Sequence, residues 1–304
     1  MACTKSILPE PDNVRLVTIV AHVDHGKTTL ADNLVESNGI ISERLAGTLR
    51  YLDFMEEEQR RGITMRTSAI GLKHCYYPKI SESKDMVIHL MDSPGHVDFS
   101  MEVTSSLQCC DGAILVVDAV EGMCARTQSI LREAYTHQLV PILVINKMDR
   151  LCTELCLSET EAFLRIRNLL ESVNAAAAAI INTNTTTTDD DDDTTKNNAV
   201  WEFDPQKGNV VFSSALYGWG FTLPSLARSL FRQKVIPNFK PLALKQYLFH
   251  DCYYAPETGK IMKWKQQSNN NNYLPMFAEY ALKPIWDIYQ QIATIASSSL
   301  GVQR

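Results

Sequence analysis

The segment from Ala21 to Thr28, AHVDHGKT, has the residue types and spacing of a loop that holds phosphate groups. It matches the pattern GxxxxGK followed by Ser or Thr, with Ala21 in place of the first glycine. In such loops backbone N–H groups surround a phosphate, the lysine reaches two phosphates, and the next hydroxyl ligates Mg²⁺. A chance turn is the alternative, but the flanking apolar run and helical pattern favour a phosphate loop. The residues expected to contact nucleotide here are His22, Val23, Asp24, His25, Gly26, Lys27, Thr28 and Thr29.

Two further motifs could complete the phosphate and metal end of such a site. In DSPGH, which follows the apolar run MVIHLM, Asp92 could hold Mg²⁺ through a water and Gly95 would allow close backbone approach to a γ-phosphate. The pattern DxxG is weak by itself, since most of its occurrences are ordinary turns. In RGIT, the Thr64 hydroxyl could reach Mg²⁺ only while a γ-phosphate is present, so this segment is a candidate switch. The sequence predicts Thr28, Thr64 and Asp92 as metal ligands.

The motif NKMD, which ends the run VPILVIN, would select the base. A carboxylate at Asp149 can accept hydrogen bonds from both N1–H and the 2-amino group of guanine, whereas adenine lacks this pair of donors. Lys147 can lay its stem along the base plane. The segment SSAL would bring the Ala215 N–H to guanine O6, although it is nearly worthless as evidence alone. The residues predicted to bind the guanosine are Asn146, Lys147, Asp149, Ser214, Ala215 and Leu216.

Regular elements must hold these motifs in place, and the sequence predicts them from apolar runs and helical spacing. Helices are expected at Lys27 to Ser37, about Phe99 to Cys110, and Thr127 to His137. Strands are expected at Val14 to Ala21, Met86 to Met91, Gly112 to Asp118, Val140 to Asn146 and Gly208 to Ser213. Runs that are apolar throughout are typical of strands buried on both faces. We therefore expect an α/β fold of the P-loop NTPase type, a mostly parallel sheet with helices on both faces.

The pattern also predicts how the chain is divided. Residues 13–224 form the nucleotide-binding domain, interrupted by a disordered low-complexity insertion at about 175–199 that is acidic at its centre. Residues 225–274 are expected to form a small inserted subdomain. Residues 275–304 are expected to form an amphipathic helix, through Ile285, Ile288, Tyr289 and Ile292, that returns to the first domain.

Composition limits the classes of protein to which the chain can belong. Its 304 residues are 45% hydrophobic, enough for one large core, and neither a membrane-length apolar run nor a signal peptide is evident. We expect a soluble cytoplasmic protein without a membrane partner. The net charge of −6 gives no overall attraction to nucleic acid. The eight cysteines include no CxxC pair and are expected to be reduced. Cys152 and Cys156 could share a helical face but lack other ligands, so no zinc site is predicted.

The motifs AHVDHGKT, RGIT, DSPGHVDFS, NKMD and SSALYGWGF resemble those of the GTPase domain of translational GTPases, in the branch of elongation factor two. Within that branch, segments such as RLAGTLRYLD, EEQRRGITMRTSAI and DAVEGMCARTQ are similar to the elongation-factor-like GTPases of large-subunit maturation. The resemblance runs from about Val14 to the C-terminal helix and fails only at the acidic insertion and an Asn run. It implies that the chain is the N-terminal part of a longer protein without that family's later domains. The region near 225–274 is similar to the branch's extra subdomain.

The resemblance also implies roles for residues that spacing alone does not assign. It implies that His96 orients the attacking water when the sarcin–ricin loop of the large ribosomal subunit engages it. Asp24 matches a carboxylate that helps to place a monovalent cation, and Val23 and Ile63 match an apolar gate beside the histidine. The implied catalytic residues are His96, Asp24 and Thr64, and the implied cofactors are GTP or GDP with Mg²⁺. Turnover is expected to be slow until a partner completes the site, because phosphoryl transfer depends mostly on positioning and charge.

Several functions remain open at this point. The favoured one is a monomeric, GTP-hydrolysing maturation factor that acts with the Shwachman–Bodian–Diamond syndrome protein to release initiation factor six from the cytoplasmic large-subunit precursor. The runner-up is elongation factor two, the translocase. A module that binds nucleotide without hydrolysing it is disfavoured by the full set of expected catalytic and metal-binding residues. A phosphate-loop ATPase or kinase is disfavoured by Asp149.

Overall fold

The centre of the molecule is a seven-stranded sheet in the order β2-β3-β1-β4-β5-β6-β7. The structure is a computed structural model that describes residues 11–44, 47, 49–79, 82–185, 201–236, 238–264 and 273–301. The sheet strands are β1 (Val14–Ala21), β2 (Ser68–Lys79), β3 (Glu82–Asp92), β4 (Gly112–Asp118), β5 (Val140–Asn146), β6 (Val210–Ser214) and β7 (Trp219–Thr222). Two further strands, β8 (Cys252–Ala255) and β9 (Lys260–Lys263), form a separate antiparallel hairpin.

The helices follow the strands in the alternation that a parallel sheet requires. They are α1 (Lys27–Ser37), α2 (Glu56–Arg61), α3 (Ser100–Gln108), α4 (Ala125–Thr136), α5 (Asp149–Thr153), α6 (Glu159–Thr185), α7 (Leu223–Arg232), α8 (Pro241–Leu248) and α9 (Lys283–Gly301). Short 3₁₀ turns lie at Pro11–Asn13 and Val97–Phe99, and a π-helical turn, Ala278–Leu282, leads into α9. No helix among the residues described has both the length and the apolar character to cross a bilayer.

Strand pairing confirms the predicted mostly parallel sheet. β1 pairs in parallel with β3 on one side and β4 on the other, and β4, β5 and β6 continue in parallel. The edge strands β2 and β7 are antiparallel to their neighbours. Sequence reasoning missed both edges, because neither is the unbroken apolar run by which the central strands were found.

Two apolar clusters, one on each face of the sheet, show why the fold holds helices on both sides. On one face Ala31 and Val35 of α1 pack with Ile19 of β1. On the other face α3, α4 and α6 bury side chains such as Ile130 and Phe163 against the same sheet. Residues along β1 and β4 alternate between the two clusters, as strands covered on both faces must.

The structure corrects the predicted start of the disordered insertion. Helix α6 continues without interruption to Thr185, and Ala177 and Ile180 are buried in the main core. Alanine has the highest helix propensity, so the run of five alanines extends the helix instead of ending it. The rest of the predicted insertion, from residue 186 to residue 199, lies outside the described residues.

The C-terminal helix is present, but its buried face differs from the predicted one. Ile288 and Ile292 are 57% and 53% exposed, whereas Trp286 is buried and its indole Nε1–H donates to the Leu157 carbonyl at 2.8 Å. Tyr289 accepts a hydrogen bond from the Trp219 indole at 3.0 Å. The large aromatic side chains, which bury more area and also carry polar groups, decide the orientation of the helix.

Residues between α7 and the π-helical turn share the main core. Leu244, Leu248 and Phe249 belong to the same apolar cluster as Phe212 of β6. Phe277, directly before the turn, packs on both Phe212 and Phe249. This region therefore braces the end of β6, next to the SSAL segment.

Candidate functional site

A cavity of about 450 Å³ opens at the carboxyl ends of the central strands, a size suited to a small-molecule ligand. Loops after β1, β5 and β6 meet there with the loop before β2. Most of the predicted site residues line it: Val23, Asp24, Gly26, Lys27, Thr28, Thr29, Thr64, Gly95, His96, Asn146, Lys147, Asp149, Ala215 and Leu216. Ile63, assigned by resemblance to the apolar gate, also lies on its wall.

Four predicted residues do not line the cavity: His22, His25, Asp92 and Ser214. His25 is fully buried, and its ring Nδ1 lies 3.3 Å from the Val116 carbonyl. Only the backbone of His25 could therefore contact a phosphate. Ser214 is also buried and acts on Asp149 instead of facing the cavity. Asp92 lies beneath the phosphate end of the cavity, at the end of β3.

The phosphate loop depends on backbone conformations and contacts that its sequence provides. Gly26 has a φ of 92° directly before α1, a left-handed conformation that glycine adopts without strain. A Cβ on Gly26 would come within 2.4 Å of the Asn146 side-chain nitrogen. That nitrogen donates to the His25 carbonyl at 2.9 Å. Glycine at this position thus allows NKMD to hold the phosphate loop directly.

Lys27 places a buried positive charge at the phosphate end. Its side chain is nearly buried, and the loss of solvation lowers its pKa, while Asp92 and Asp24 act in the opposite direction. A Cβ on Gly95 would lie 2.5 Å from the Lys27 Nζ, so the DSPGH backbone approaches the lysine closely only because glycine stands there. An anionic ligand would restore the interactions that the ammonium loses on burial.

Three oxygen-bearing side chains meet beside this lysine. The Thr28 and Thr64 hydroxyl oxygens are 3.1 Å apart, and Asp92 is fully buried with neither carboxylate oxygen hydrogen-bonded among the described residues. Burial raises the pKa of Asp92 to about 7, although Lys27 and the nearby Thr28 hydroxyl oppose this shift. A buried carboxylate without a partner and two hydroxyls are a donor set that suits a hard, oxygen-preferring cation.

Two acidic residues that sequence reasoning missed hold the RGIT segment in this position. Asp53, fully buried, accepts a hydrogen bond from the Thr64 hydroxyl at 2.8 Å and pairs with Arg50 at 2.7 Å. Glu58 of α2 accepts from the backbone N–H groups of Met65 and Arg66. The sequence offers one signal, the acidic run of EEEQRR, but such a charged run is equally typical of a solvated helix or loop.

At the opposite end of the cavity the predicted base-binding residues are held by other protein groups. Asp149 accepts a hydrogen bond from the Ser214 hydroxyl at 2.5 Å, which leaves its second oxygen for a ligand. Asn146 Oδ1 accepts from the Ala215 N–H at 2.9 Å. Because its other side-chain atom bonds to the phosphate loop, Asn146 joins the NKMD, SSAL and phosphate-loop segments.

Asp118, a further residue that sequence reasoning missed, fixes Lys147. The lysine backbone has a φ of 59°, and its Nζ lies 2.9 Å from an Asp118 oxygen that also pairs with Arg150 at 2.9 Å. Burial raises the pKa of Asp118, but the hydrogen bond and charge of Lys147, with Arg150, outweigh burial and hold it below its usual value. A signal existed, because Asp118 ends an apolar strand run as Asp92 and Asn146 do.

His96 lies at the mouth of the cavity and is exposed. Its side chain is 47% exposed, and its Nδ1 accepts a hydrogen bond from the Asp98 N–H at 3.3 Å. This bond places the ring proton on Nε2 when the imidazole is neutral. Asp24, also exposed, has a φ of 60° and lines the same mouth. Both side chains are open to a group that approaches from outside.

Comparison with known proteins agrees with this geometry. Residues 12–279 match the family described as the elongation factor Tu GTP binding domain. The chain belongs to this family. The family's description shows a domain that binds GTP or GDP.

Curated relatives are similar over nearly the whole chain. Ribosome assembly protein 1 of Schizosaccharomyces pombe is 44% identical over 94% of the chain, and Elongation factor-like GTPase 1 of Homo sapiens is 41% identical over 92%. Ribosome assembly protein 1 of Saccharomyces cerevisiae is 41% identical over 97%. The chain spans only 26% to 28% of the length of these relatives.

Proposed function

We propose that the chain binds GTP together with Mg²⁺ and hydrolyses it to GDP and phosphate. The observation that carries this proposal is the grouping of Thr28, Thr64 and the fully buried Asp92 beside Lys27, at the end of the cavity opposite Asp149. The two ends match the two ends of a guanosine triphosphate. Mg²⁺ held by these residues would neutralise charge that develops on the β and γ oxygens.

The chain's own groups account for the remaining requirements of hydrolysis. Lys27 and the backbone of the phosphate loop orient the phosphates, and Asp149 and Ala215 orient the base. His96 positions the attacking water from the mouth of the cavity, and Asp24 contributes negative charge for a monovalent cation near the phosphates. Since His96 is 47% exposed, with a 3.3 Å hydrogen bond from the Asp98 N–H and an edge-on contact with Phe99, we expect it to need a partner to fix its position.

The wider role that we propose is in large-subunit maturation in the cytoplasm. The names of the relatives, which refer to ribosome assembly and to elongation factors, support a ribosomal partner. By family resemblance, that partner is the sarcin–ricin loop of the large subunit. The proposed outcome of hydrolysis, in concert with the Shwachman–Bodian–Diamond syndrome protein, is release of initiation factor six.

Phosphate release measured with the full-length protein tests both levels of this proposal. GTP should be hydrolysed slowly alone and faster with purified large subunits that carry initiation factor six, and the factor should leave the subunit in a GTP-dependent manner. Absence of GTP hydrolysis under every condition would refute the enzyme. Stimulation by translating ribosomes alone, without release of initiation factor six, would instead support the translocase.

A further inference from the structure

A second group of potential ligands lies behind the phosphate loop, away from the nucleotide cavity. It consists of His25 in the loop, Glu121 in the turn after β4, and Cys124 just before α4. Their ligand atoms all lie within 4.8 Å of one another. His25 Nε2 is 3.3 Å from a Glu121 oxygen and 3.9 Å from the Cys124 sulfur.

We propose that His25, Glu121 and Cys124 bind Zn²⁺ or a similar borderline metal ion. Zinc bonds of about 2.0–2.3 Å to nitrogen, oxygen and sulfur give ligand separations of roughly 3.3–3.6 Å in a tetrahedral site. The observed separations from His25 are within a few tenths of an ångström of this range. A set of one imidazole, one carboxylate and one thiolate is typical of zinc, whereas Mg²⁺ prefers oxygen ligands alone.

The surroundings of His25 supply the orientation that a metal-bound imidazole requires. With its proton on Nδ1, the ring donates to the Val116 carbonyl at 3.3 Å, and the Nε2 lone pair then faces Glu121 and Cys124. Metal-bound histidines usually donate their second ring N–H to a carbonyl or carboxylate in this way. The other tautomer, with Nδ1 accepting from the Asp118 N–H at 3.4 Å and Nε2–H donating to Glu121, describes the metal-free protein.

Burial and access both suit a bound ion. His25 is fully buried, while the Glu121 side chain is 45% exposed and provides a route from solvent. His22 packs edge-on against His25, with ring centroids 5.3 Å apart, and its buried Nδ1 has no hydrogen-bond partner in the described parts of the chain. Three protein ligands leave a fourth position open for water.

A metal at this site would tie the phosphate loop to the segment that precedes α4. The His25 carbonyl already accepts from Asn146, so the ion would hold the back of a loop whose front holds nucleotide. Sequence spacing does not indicate this site, because His25 and Glu121 are 96 positions apart and no short motif links them.

Metal titration of the protein tests the proposal, with GDP and Mg²⁺ present in excess so that the nucleotide cavity is filled. Zn²⁺ is titrated in competition with a chromophoric chelator, and Co²⁺ is used as a spectroscopic probe of thiolate ligation. We expect one Zn²⁺ per chain and a sulfur-to-cobalt charge-transfer band. Loss of an outer-shell partner alone costs about 10–100-fold in metal affinity, so Cys124→Ser and Glu121→Gln should each cost at least about 100-fold.

Matched controls distinguish this site from other surface ligands. Cys156→Ser and Glu171→Gln alter exposed residues outside the cluster and should leave both the Zn²⁺ affinity and the cobalt band unchanged. Affinity for a fluorescent GDP analogue shows that each variant is folded. The proposal is overturned if folded Cys124→Ser binds Zn²⁺ as tightly as the wild type, or if Co²⁺ gives no thiolate band.

Discussion

The two ends of the nucleotide cavity differ in how far the protein itself satisfies their polar groups. At the base end Asn146 and Asp149 are hydrogen-bonded to backbone and side chains of the SSAL segment. At the phosphate end Asp92 has no hydrogen-bond partner among the described residues, and Lys27 is a buried cation whose pKa is lowered by lost solvation. The base end is preorganised by hydrogen bonds, whereas at the phosphate end a buried ammonium and a buried carboxylate interact with each other but do not recover the solvation that they lose.

This difference explains what each end can contribute. Under the proposed function, a preorganised base end would select guanine, because a base without the right donors would leave a buried carboxylate oxygen unpaired. At the phosphate end, the buried Lys27 ammonium favours an anion such as phosphate, and the buried Asp92 carboxylate favours a cation. Changes at the base end should therefore alter which nucleotide binds, and changes at the phosphate end should alter metal dependence, stability and rate.

The largest expected effect is a change of base preference in Asp149→Asn. The amide cannot accept both guanine donors, while xanthine, which carries an oxygen in place of the 2-amino group, can pair with it. Relative affinity for GTP over XTP should change by up to about 10⁴-fold, as at other hydrogen-bonded specificity sites. Competition binding with the two nucleotides measures it.

A phosphate-end variant provides the contrast for that experiment. Asp24→Asn, at the mouth of the cavity, should change the affinities for GTP and XTP by the same factor. An unaltered GTP-to-XTP ratio in Asp149→Asn would show that Asp149 does not read the base. A shifted ratio in Asp24→Asn would show that the two ends are not independent.

His96→Ala should separate binding from turnover. The phosphate loop, Thr28 and Asp149 hold the nucleotide without His96, so affinity for GTP and Mg²⁺ should be close to normal. Loss of a group that positions the water typically costs about 10²–10⁴ in rate, so ribosome-stimulated phosphate release should fall by that factor. Intrinsic hydrolysis, already slow, should change less.

His250→Ala serves as the control, because His250 is an exposed histidine remote from the cavity lining. It should leave both affinity and stimulated turnover unchanged. If His96→Ala keeps the full stimulated rate, another group positions the water. If it loses GTP binding in parallel, His96 has a structural role instead.

Asp92→Asn tests the cost of keeping an unpartnered carboxylate at the phosphate end. Because the pKa of Asp92 is raised to about 7 in the folded protein, folding is penalised as pH rises from the unfolded value of 3.8 towards 7. Relative to Asp92→Asn, the nucleotide-free wild type should lose about 1.3 kcal/mol of unfolding free energy from pH 5 to 6 and about 1 kcal/mol from pH 6 to 7. Denaturant unfolding at pH 5, 6 and 7 measures this slope.

Mg²⁺ and GTP should reverse the order of stability, because the ionised Asp92 then gains its partner and the asparagine does not. Asp98→Asn, which removes a carboxylate that is 78% exposed, is the matched control, and Mg²⁺ with GTP should leave its stability relative to the wild type unchanged. A parallel pH dependence in wild type and Asp92→Asn would mean that Asp92 carries no such penalty.

Sequence reasoning found the two ends of the cavity with unequal completeness. Lys27, Asp92, Asn146 and Asp149 were predicted because strand-end motifs have fixed spacings that reflect local geometry. The residues that support them were missed. Asp53 holds Thr64 and Asp118 holds Lys147, and the two members of each pair are far apart in the sequence. Only the fold shows such pairs.

The same limit applied to the elements of the fold. The central strands β1 and β4 matched their predicted bounds because burial on both faces makes them mainly apolar along their length. The extension of α6 to Thr185 was missed because low complexity was weighed above the helix propensity of alanine. The predicted buried face of α9 was wrong because the spacing of isoleucines does not show that Trp286 is the side chain that packs into the core.

The smallest expected effect concerns Thr64, which joins the switch segment to the phosphate end. Its hydroxyl is 3.1 Å from that of Thr28 and bonds to Asp53, so the protein already holds it near the expected metal position. Thr64→Ala should weaken GTP binding by about 1–1.5 kcal/mol, roughly tenfold, because one oxygen that Mg²⁺ meets in the triphosphate state is lost. GDP affinity should change less than twofold.

Thr64→Ser keeps the hydroxyl and should restore GTP affinity, which a purely steric role of the threonine methyl would not allow. Titration of each variant with GDP and a non-hydrolysable GTP analogue measures both affinities. Equal losses for the two nucleotides in Thr64→Ala would mean that the Asp53–Thr64 bond supports folding of the segment and does not report the γ-phosphate.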